Sequence, residues 1–303
     1  MSESPHPLRS LLFLPGSVVV DPAHPLLDYY RRCVAELLPP EFRPDLFIVD
    51  LEDSVSARER TRAFRDVSRF LEQAGSALKV KFFLRVTGTQ QLRDMEVELA
   101  SNSVISGIVI PKVELCSLEQ TAAPFWELDK PLWPSIETAK GFLDKREIVG
   151  RFRRRHLPPL PLGVIFGRDD LAASLRIDRD CLTPQGFGAF FLDFVCACRA
   201  ESCDPIGPVF NSTINASLLV NELSQLRAMG FTGTLCVFPS QVREVNRVFT
   251  FADPELRRRY AAIEAGLVQA GEQGLGWIIY EGHKYDTADL PYIHYVLSKS
   301  TLP

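Results

Sequence analysis

The sequence predicts an α/β protein built as a (β/α)8 barrel (TIM barrel) with a C-terminal helical arm. Three observations carry that prediction. Short, almost unbroken apolar runs alternate with helical patterns, which is how parallel strands read when helices cover both faces of the sheet. About eight such units fit into 303 residues, the size of one barrel. No Gly-x-Gly-x-x-Gly follows any run, so an open doubly wound sheet is the weaker alternative.

The units follow in order. Leu11-Leu12-Phe13-Leu14 stops at Pro15-Gly16-Ser17, and a helical stretch runs from Leu26 to Leu38. Leu46-Phe47-Ile48-Val49-Asp50-Leu51 precedes a charged helix from Ser56 to Gln73. Val80 to Val86 is the third run, with a helix near Gln90 to Ala100, and Gly107 to Lys112 is the fourth. The fifth is Pro131 to Ile136 and the sixth Leu162 to Gly167. The seventh is weak, near Ser202 to Val209, after a long segment holding Gly186 and Gly188. The eighth, Gly233 to Pro239, follows a helix from Ala216 to Met229 that stops at Gly230. The barrel domain is therefore placed at 1–252 and the arm at 253–303. The arm holds helices from Pro254 to about Gln273 and from Thr287 to Lys299, and is expected to pack on the barrel or on a neighbouring subunit of a homo-oligomer, expected as a trimer or hexamer although the sequence does not fix its size.

Composition excludes several classes. A net charge of -4 leaves no electrostatic footprint for nucleic acid. No apolar run approaches the roughly 20 residues of a membrane span. Met1 to Arg9 lacks a signal-peptide apolar core, and the seven cysteines lack disulfide or zinc spacing. A reducing, cytoplasmic setting is expected.

Chemistry in such barrels gathers at the C-terminal strand ends. There the sequence offers Pro15 and Gly16, then Glu52 and Asp53, Arg85, Lys112, Glu137 and Asp170. Glu137 and Asp170 end neighbouring strands, and two such carboxylates can hold a hard divalent cation while leaving positions for water and substrate. Arg85 suits a small carboxylate, because its fork grips two oxygens. Gly16 lets a ligand approach the backbone. Glu52 and Asp53 either ligate the metal, orient its waters or cap the next helix.

These residues sit in motifs. Arg9 to Ser17, Asp50-Leu51-Glu52-Asp53-Ser54-Val55, Leu84-Arg85-Val86, Ile110-Pro111-Lys112-Val113-Glu114, Ile136-Glu137-Thr138-Ala139, Gly167 to Leu171, Gly230 to Gly233 and Pro239-Ser240-Gln241 run in one order. Together they resemble the citrate lyase β-subunit-like family of the HpcH/HpaI aldolase superfamily, which includes citramalyl-CoA and malyl-CoA lyases. The resemblance implies Mg2+ as cofactor, held by Glu137 and Asp170. It implies Arg85 as the substrate-carboxylate arginine, and cleavage of a short hydroxyacyl-CoA into a 2-oxo acid and acetyl-CoA. Asp286, in Gly282-His283-Lys284-Tyr285-Asp286, resembles a C-terminal aspartate that in relatives reaches the site of an adjacent subunit and exchanges a proton with the thioester enolate.

The chain departs from the family where coenzyme A binds. Relatives commonly have Gly-Lys and His-Pro in place of Gly233-Thr234 and Phe238-Pro239, a basic residue where Val18, Val19 and Val20 stand, and an asparagine in place of Thr87. Lys112, Arg9 and the run Arg151 to Arg155 are the remaining candidates for phosphates; a solvated helix face is the plainer reading of that run. Three functions follow from the resemblance: a carbon–carbon lyase or a malyl-CoA-type thioesterase, with a hydroxyacyl thioester or hydroxy acid as small-molecule partner, or a non-catalytic or complex-bound subunit that keeps the barrel but has lost coenzyme A binding.

Overall fold

The computed structural model describes residues 8–19, 21, 23–74, 81–155, 162–212, 215–251 and 253–299. Met1 to Pro7, Val20 and Val80, which the sequence reading used, lie outside them. The chain divides into two compact units, Met1–Val245 and Asn246–Pro303.

In the first unit eight parallel strands close on themselves: β1 (Ser10–Pro15), β2 (Leu46–Asp50), β3 (Phe82–Arg85), β4 (Ile105–Ile110), β5 (Leu132–Ile136), β6 (Gly163–Phe166), β7 (Asp204–Gly207) and β8 (Gly233–Cys236). β1 pairs with both β2 and β8, with Leu11 opposite Leu46 on one side and Leu235 on the other. The strands are mostly apolar because both faces are covered; β2 and β5 are buried at every position. Between the strands lie α1 (Pro25–Val34), α2 (Arg60–Ala74), α3 (Arg93–Ser101), the short α4 (Leu118–Thr121), α5 (Ala139–Arg155), α6 (Arg168–Leu175), α7 (Pro184–Ala200), α8 (Ala216–Ala228) and α9 (Pro239–Phe249), whose last turn belongs to the second unit.

Large and small residues alternate inside the barrel. The Phe83 and Trp133 rings meet edge to face at 4.5 Å, although β4 separates their strands, so they meet across the interior. Room comes from glycines on the flanking strands. A Cβ on Gly107 would lie 2.3 Å from the Phe83 ring, and one on Gly163 would lie 2.8 Å from Trp133. Small–large layering of this kind fills a barrel and leaves the mouth above it open for a ligand.

The seam between β8 and β1 is the tightest point. Thr234 N–H donates to the Arg9 carbonyl at 2.8 Å, and a Cβ on Gly233 would lie 1.9 Å from the Leu8 carbonyl oxygen. Since backbone cannot yield as a side-chain tip can, Gly233→Ala is expected to cost about 3 kcal/mol. A lowered urea midpoint at unchanged slope would record this; an unchanged midpoint would show that the seam relaxes freely.

Several expected boundaries move. α1 ends at Val34, four residues before Leu38, and α2 begins at Arg60 instead of Ser56. Gly186 and Gly188 lie within the opening turns of α7, which is capped by the Thr183 hydroxyl accepting from Gly186 N–H. Phe187 between them departs from helical geometry, so the helix is kinked there.

The second unit contains α10 (Pro254–Glu272), a hairpin of β9 (Trp277–Tyr280) and β10 (His283–Asp286), and α11 (Leu290–Lys299). Asp253 caps α10 by accepting from Glu255 N–H, with Pro254 in the first turn. Ile263, Leu267 and Ile293 form its core, with Ile278, Tyr280 and Tyr285 of the hairpin packed on them. The sequence reading saw the two helices but assigned neither strand of the hairpin.

Candidate active site

The C-terminal strand ends of the barrel surround a cavity of about 330 Å³, lined by Phe13, Pro15, Asp50, Asp53, Arg85, Glu137, Asp169 and Asp170 among others. Of the sequence-predicted residues Asp53, Arg85, Glu137 and Asp170 therefore converge on it, and an order of contacts ties them together.

Arg85 is the hub. Strand register puts it opposite Asp50, and its Nε and Nη2 donate to Asp50 Oδ1 and Oδ2 at 2.6 and 2.8 Å. Its Nη1 stands 3.0 Å from Glu52 Oε2 and its Nη2 stands 3.3 Å from Asp53 Oδ2. The Phe13 ring packs on the guanidinium with its centroid 4.7 Å away. Burial alone would raise the Asp50 carboxyl, but the facing guanidinium outweighs it and holds the group below the usual carboxylate range. Glu52 goes the other way. Burial, reinforced by the charges of Glu137 and Asp53, pushes it up to about 8 despite Arg85 and Lys112. Its Oε2 is buried and accepts no hydrogen bond.

Glu137 is buried under the mouth. Its Oε1 accepts the Lys112 backbone N–H at 2.6 Å and its Oε2 accepts the Ser135 hydroxyl at 2.8 Å. Burial raises its carboxyl above the ordinary value, and the charge of Asp170 adds to the effect. Gly167 makes its place: a Cβ there would lie 2.3 Å from Glu137 Oε2. Asp170 sits in the first turn of α6, partly exposed, with its Oδ2 3.5 Å from Lys112 Nζ. Glu137 has no salt-bridge partner among the described residues, and no three acidic, imidazole or thiol groups there are arranged to hold a metal ion. Glu137 and Asp170 offer hard oxygen donors of the kind that suit Mg2+, with water and substrate to complete the shell.

Other expected residues fall elsewhere. Pro15 lines the cavity, whereas the small size of Gly16 serves chain packing, since a Cβ would lie 2.8 Å from Leu51 Cδ2 and 2.9 Å from the Asp50 carbonyl oxygen. Lys112 Nζ is held 2.5 Å from Glu52 Oε1. Arg9 pairs with Asp45 Oδ1 at 2.8 Å near the start of β1, and Arg151 to Arg155 end α5, which runs from the mouth to the far end of the barrel. Neither lies at the mouth, so neither can hold phosphates of a ligand bound there. Cys198 and Cys203 are buried and Cys196 is exposed, the disposition of unlinked thiols. Asp286 belongs to the second unit. There it accepts Ala288 N–H at 2.9 Å and Lys284 Nζ at 3.2 Å, and these contacts hold its carboxyl below the ordinary value.

Four participants were given no role by the sequence reading: Asp50, Ser135, Arg168 and Asn211. Asp50 and Ser135 carry a detectable signal, because they sit at or near strand ends and Ser135 precedes Glu137 by the two residues that return a side chain to the same face. Arg168 is buried, donates to Glu222 Oε1 at 2.8 Å and to the Val209 carbonyl, and so ties the end of β6 to the segment after β7. Asn211, on that segment, donates to Asp169 Oδ2 at 2.5 Å.

A closed parallel barrel with a carboxylate-rich mouth around a buried arginine defines a (β/α)8 protein whose ligand site lies at the C-terminal strand ends. The model of the family described as HpcH/HpaI aldolase/citrate lyase matches residues 39–239. The chain is 30% identical to a (3S)-malyl-CoA thioesterase of Cereibacter sphaeroides over 310 residues, spanning 100% of this chain and 96% of that protein. It is 26% identical to a citrate lyase subunit beta-like protein of Deinococcus radiodurans, spanning 94% and 95% of the two chains. Protein CitE of Mycobacterium tuberculosis, solved with magnesium, acetoacetate and coenzyme A, superposes with a TM-score of 0.70 at 20% identity, over 98% of this chain and 99% of that one. The chain belongs to the HpcH/HpaI aldolase/citrate lyase family, whose named relatives include citrate lyase β subunits and a thioesterase. Solved neighbours of this fold are crystallised with magnesium. Among the described residues no helix is long and apolar enough to cross a membrane.

Proposed function

We propose that the chain is a Mg2+-dependent carbon–carbon lyase that cleaves a short hydroxyacyl-CoA, of the citramalyl, malyl or citryl type, into a 2-oxo acid and acetyl-CoA. The observation that carries this reading is the meeting of Glu137, Asp170 and Arg85 around one mouth cavity. Glu137 and Asp170 would hold the ion, which when bound polarises the substrate carboxylate and hydroxyl and so favours the 2-oxo product.

The chain's own groups then have separable tasks. The Nη1 edge of Arg85, whose neighbour Glu52 Oε2 accepts no hydrogen bond, is placed to take a substrate carboxylate oxygen. Burial of that pair in the mouth strengthens the contact over its value in water. Glu52, whose value is raised to about 8, is in its ionised form a stronger base than an ordinary carboxylate and would take the hydroxyl proton, while Asp53 stands half-exposed at the rim. Breaking the bond between the carbinol carbon and the α-carbon of the thioester leaves an enolate that needs one proton. Asp286, delivered by a neighbouring copy in a homo-oligomer, is the assigned donor. Entry into a dry mouth would raise its carboxyl from the low value it has when exposed.

The 30% identity to malyl-CoA thioesterase along the full chain favours a second reading, in which thioester hydrolysis follows the same substrate binding. Products decide. Citramalyl-CoA, malyl-CoA and citryl-CoA should release free pyruvate, glyoxylate or oxaloacetate together with acetyl-CoA when Mg2+ is present and not when it is left out. Free hydroxy acid plus coenzyme A would establish the thioesterase instead, and binding without turnover would establish a non-catalytic subunit. Asp286→Ala is expected to lower kcat by about a hundredfold with KM little changed. Mixing it with Glu137→Ala subunits should restore activity, and the absence of rescue would count against sites shared between copies.

A further inference from the structure

Lys112 follows β4 with φ +49°, a left-handed conformation uncommon for a residue with a side chain. From that turn its two nitrogens face different acids. The backbone N–H meets Glu137 Oε1 at 2.6 Å. The ammonium lies 2.5 Å from Glu52 Oε1, 3.4 Å from Asp53 Oδ1 and 3.5 Å from Asp170 Oδ2. One residue thus hydrogen-bonds one carboxylate assigned above to the metal and neutralises the other.

We propose that Lys112 is a tethered counter-ion that competes with the divalent cation for Asp170 and retreats toward Glu52 and Asp53 when the cation binds. The inference rests on the assignment of Glu137 and Asp170 as metal ligands. Three features of the geometry support it. The ammonium shares Asp170 with the position the ion needs, and like charges a few ångströms apart repel strongly in a mouth partly screened from water. Glu52 and Asp53 provide a second seat already within contact, so the charge can withdraw without losing a partner. The Lys112 side chain is 40% exposed, and its four-carbon stem can swing while the backbone stays fixed on Glu137. Lys112 is then a positioning residue. It keeps the acid cluster neutralised before the ion arrives, at the expense of ion affinity.

The test is divalent-cation affinity of the full chain without substrate, read by Mn2+ electron paramagnetic resonance and by Mg2+ calorimetry. Lys112→Met keeps the stem and backbone and removes the charge; it should tighten binding by about tenfold, and Lys112→Gln should act alike should the Met variant fold poorly. Lys112→Arg, which retains the charge, should stay within about threefold of the original affinity. A lysine that merely braces the site would loosen binding when removed, so unchanged or weaker affinity in both neutral variants overturns the proposal. The ligand assignment fails separately: it is lost if the unaltered chain binds neither ion, or if Asp170→Asn binds as well as the original.

Discussion

Glu137→Gln is expected to abolish Mg2+-dependent turnover, by roughly a thousandfold or more, while the barrel stays folded. The two halves of that outcome have separate causes. The amide oxygen of Gln can still accept from Lys112 N–H, and its NH2 group can donate to the Ser135 hydroxyl, so the buried contacts survive. Burial disfavours the charged form of Glu137, so a neutral amide of the same shape also removes a desolvation cost, and the melting temperature should be unchanged or higher. What disappears is the anionic ligand. Asp170→Asn should lose activity to a similar degree, since two ligands cannot become one without losing the ion. Initial rates against Mg2+ concentration, paired with thermal melts followed by circular dichroism, separate catalysis from folding. Full Mg2+-dependent activity in either variant would refute the ligand pair.

The strands of the barrel were legible because each is an apolar run ending in a polar or small residue, and that residue is where chemistry can sit. β7 was faint because Asp204-Pro205-Ile206-Gly207 is short and carries a proline and an acid. β10 was invisible because His283-Lys284-Tyr285-Asp286 has little strand propensity of its own and is paired only through its partner β9. The site followed the same division. Arg85, Glu137 and Asp170 could be named from their places at strand ends, but not which charge faces which. Asp50 meets Arg85 through inter-strand register, and Arg168 meets Glu222 across 54 residues of chain. The left-handed turn at Lys112 had no signal, because a lysine there does not advertise it as a glycine would.

Arg85→Met should strike stability and activity together. At pH 7 it is expected to cost about 3–5 kcal/mol, the penalty for leaving a buried charge without its partner. The stranded group is Asp50, which now receives two charged hydrogen bonds from the guanidinium and would keep only Glu52 N–H, Ser54 N–H and whatever water enters. Its pH signature identifies the cause. In the unaltered chain the Asp50 pKa lies below its unfolded value, so its contribution is present above that value and is lost as pH falls through the folded pKa. Without Arg85, burial dominates and the folded pKa rises above the unfolded one. The sign then reverses: the variant's deficit relative to the unaltered chain should be largest near neutrality and should shrink as pH falls toward 5. Urea unfolding of both proteins between pH 5 and 8 measures that difference. A deficit that stays flat with pH would mean that Arg85 acts through packing on Phe13 rather than through Asp50. Arg85→Lys sharpens the result, since a single ammonium can neutralise Asp50 but cannot reproduce the paired contacts. It should recover most of the stability and little of the turnover, because a point charge replaces the fork that also has to meet the substrate carboxylate.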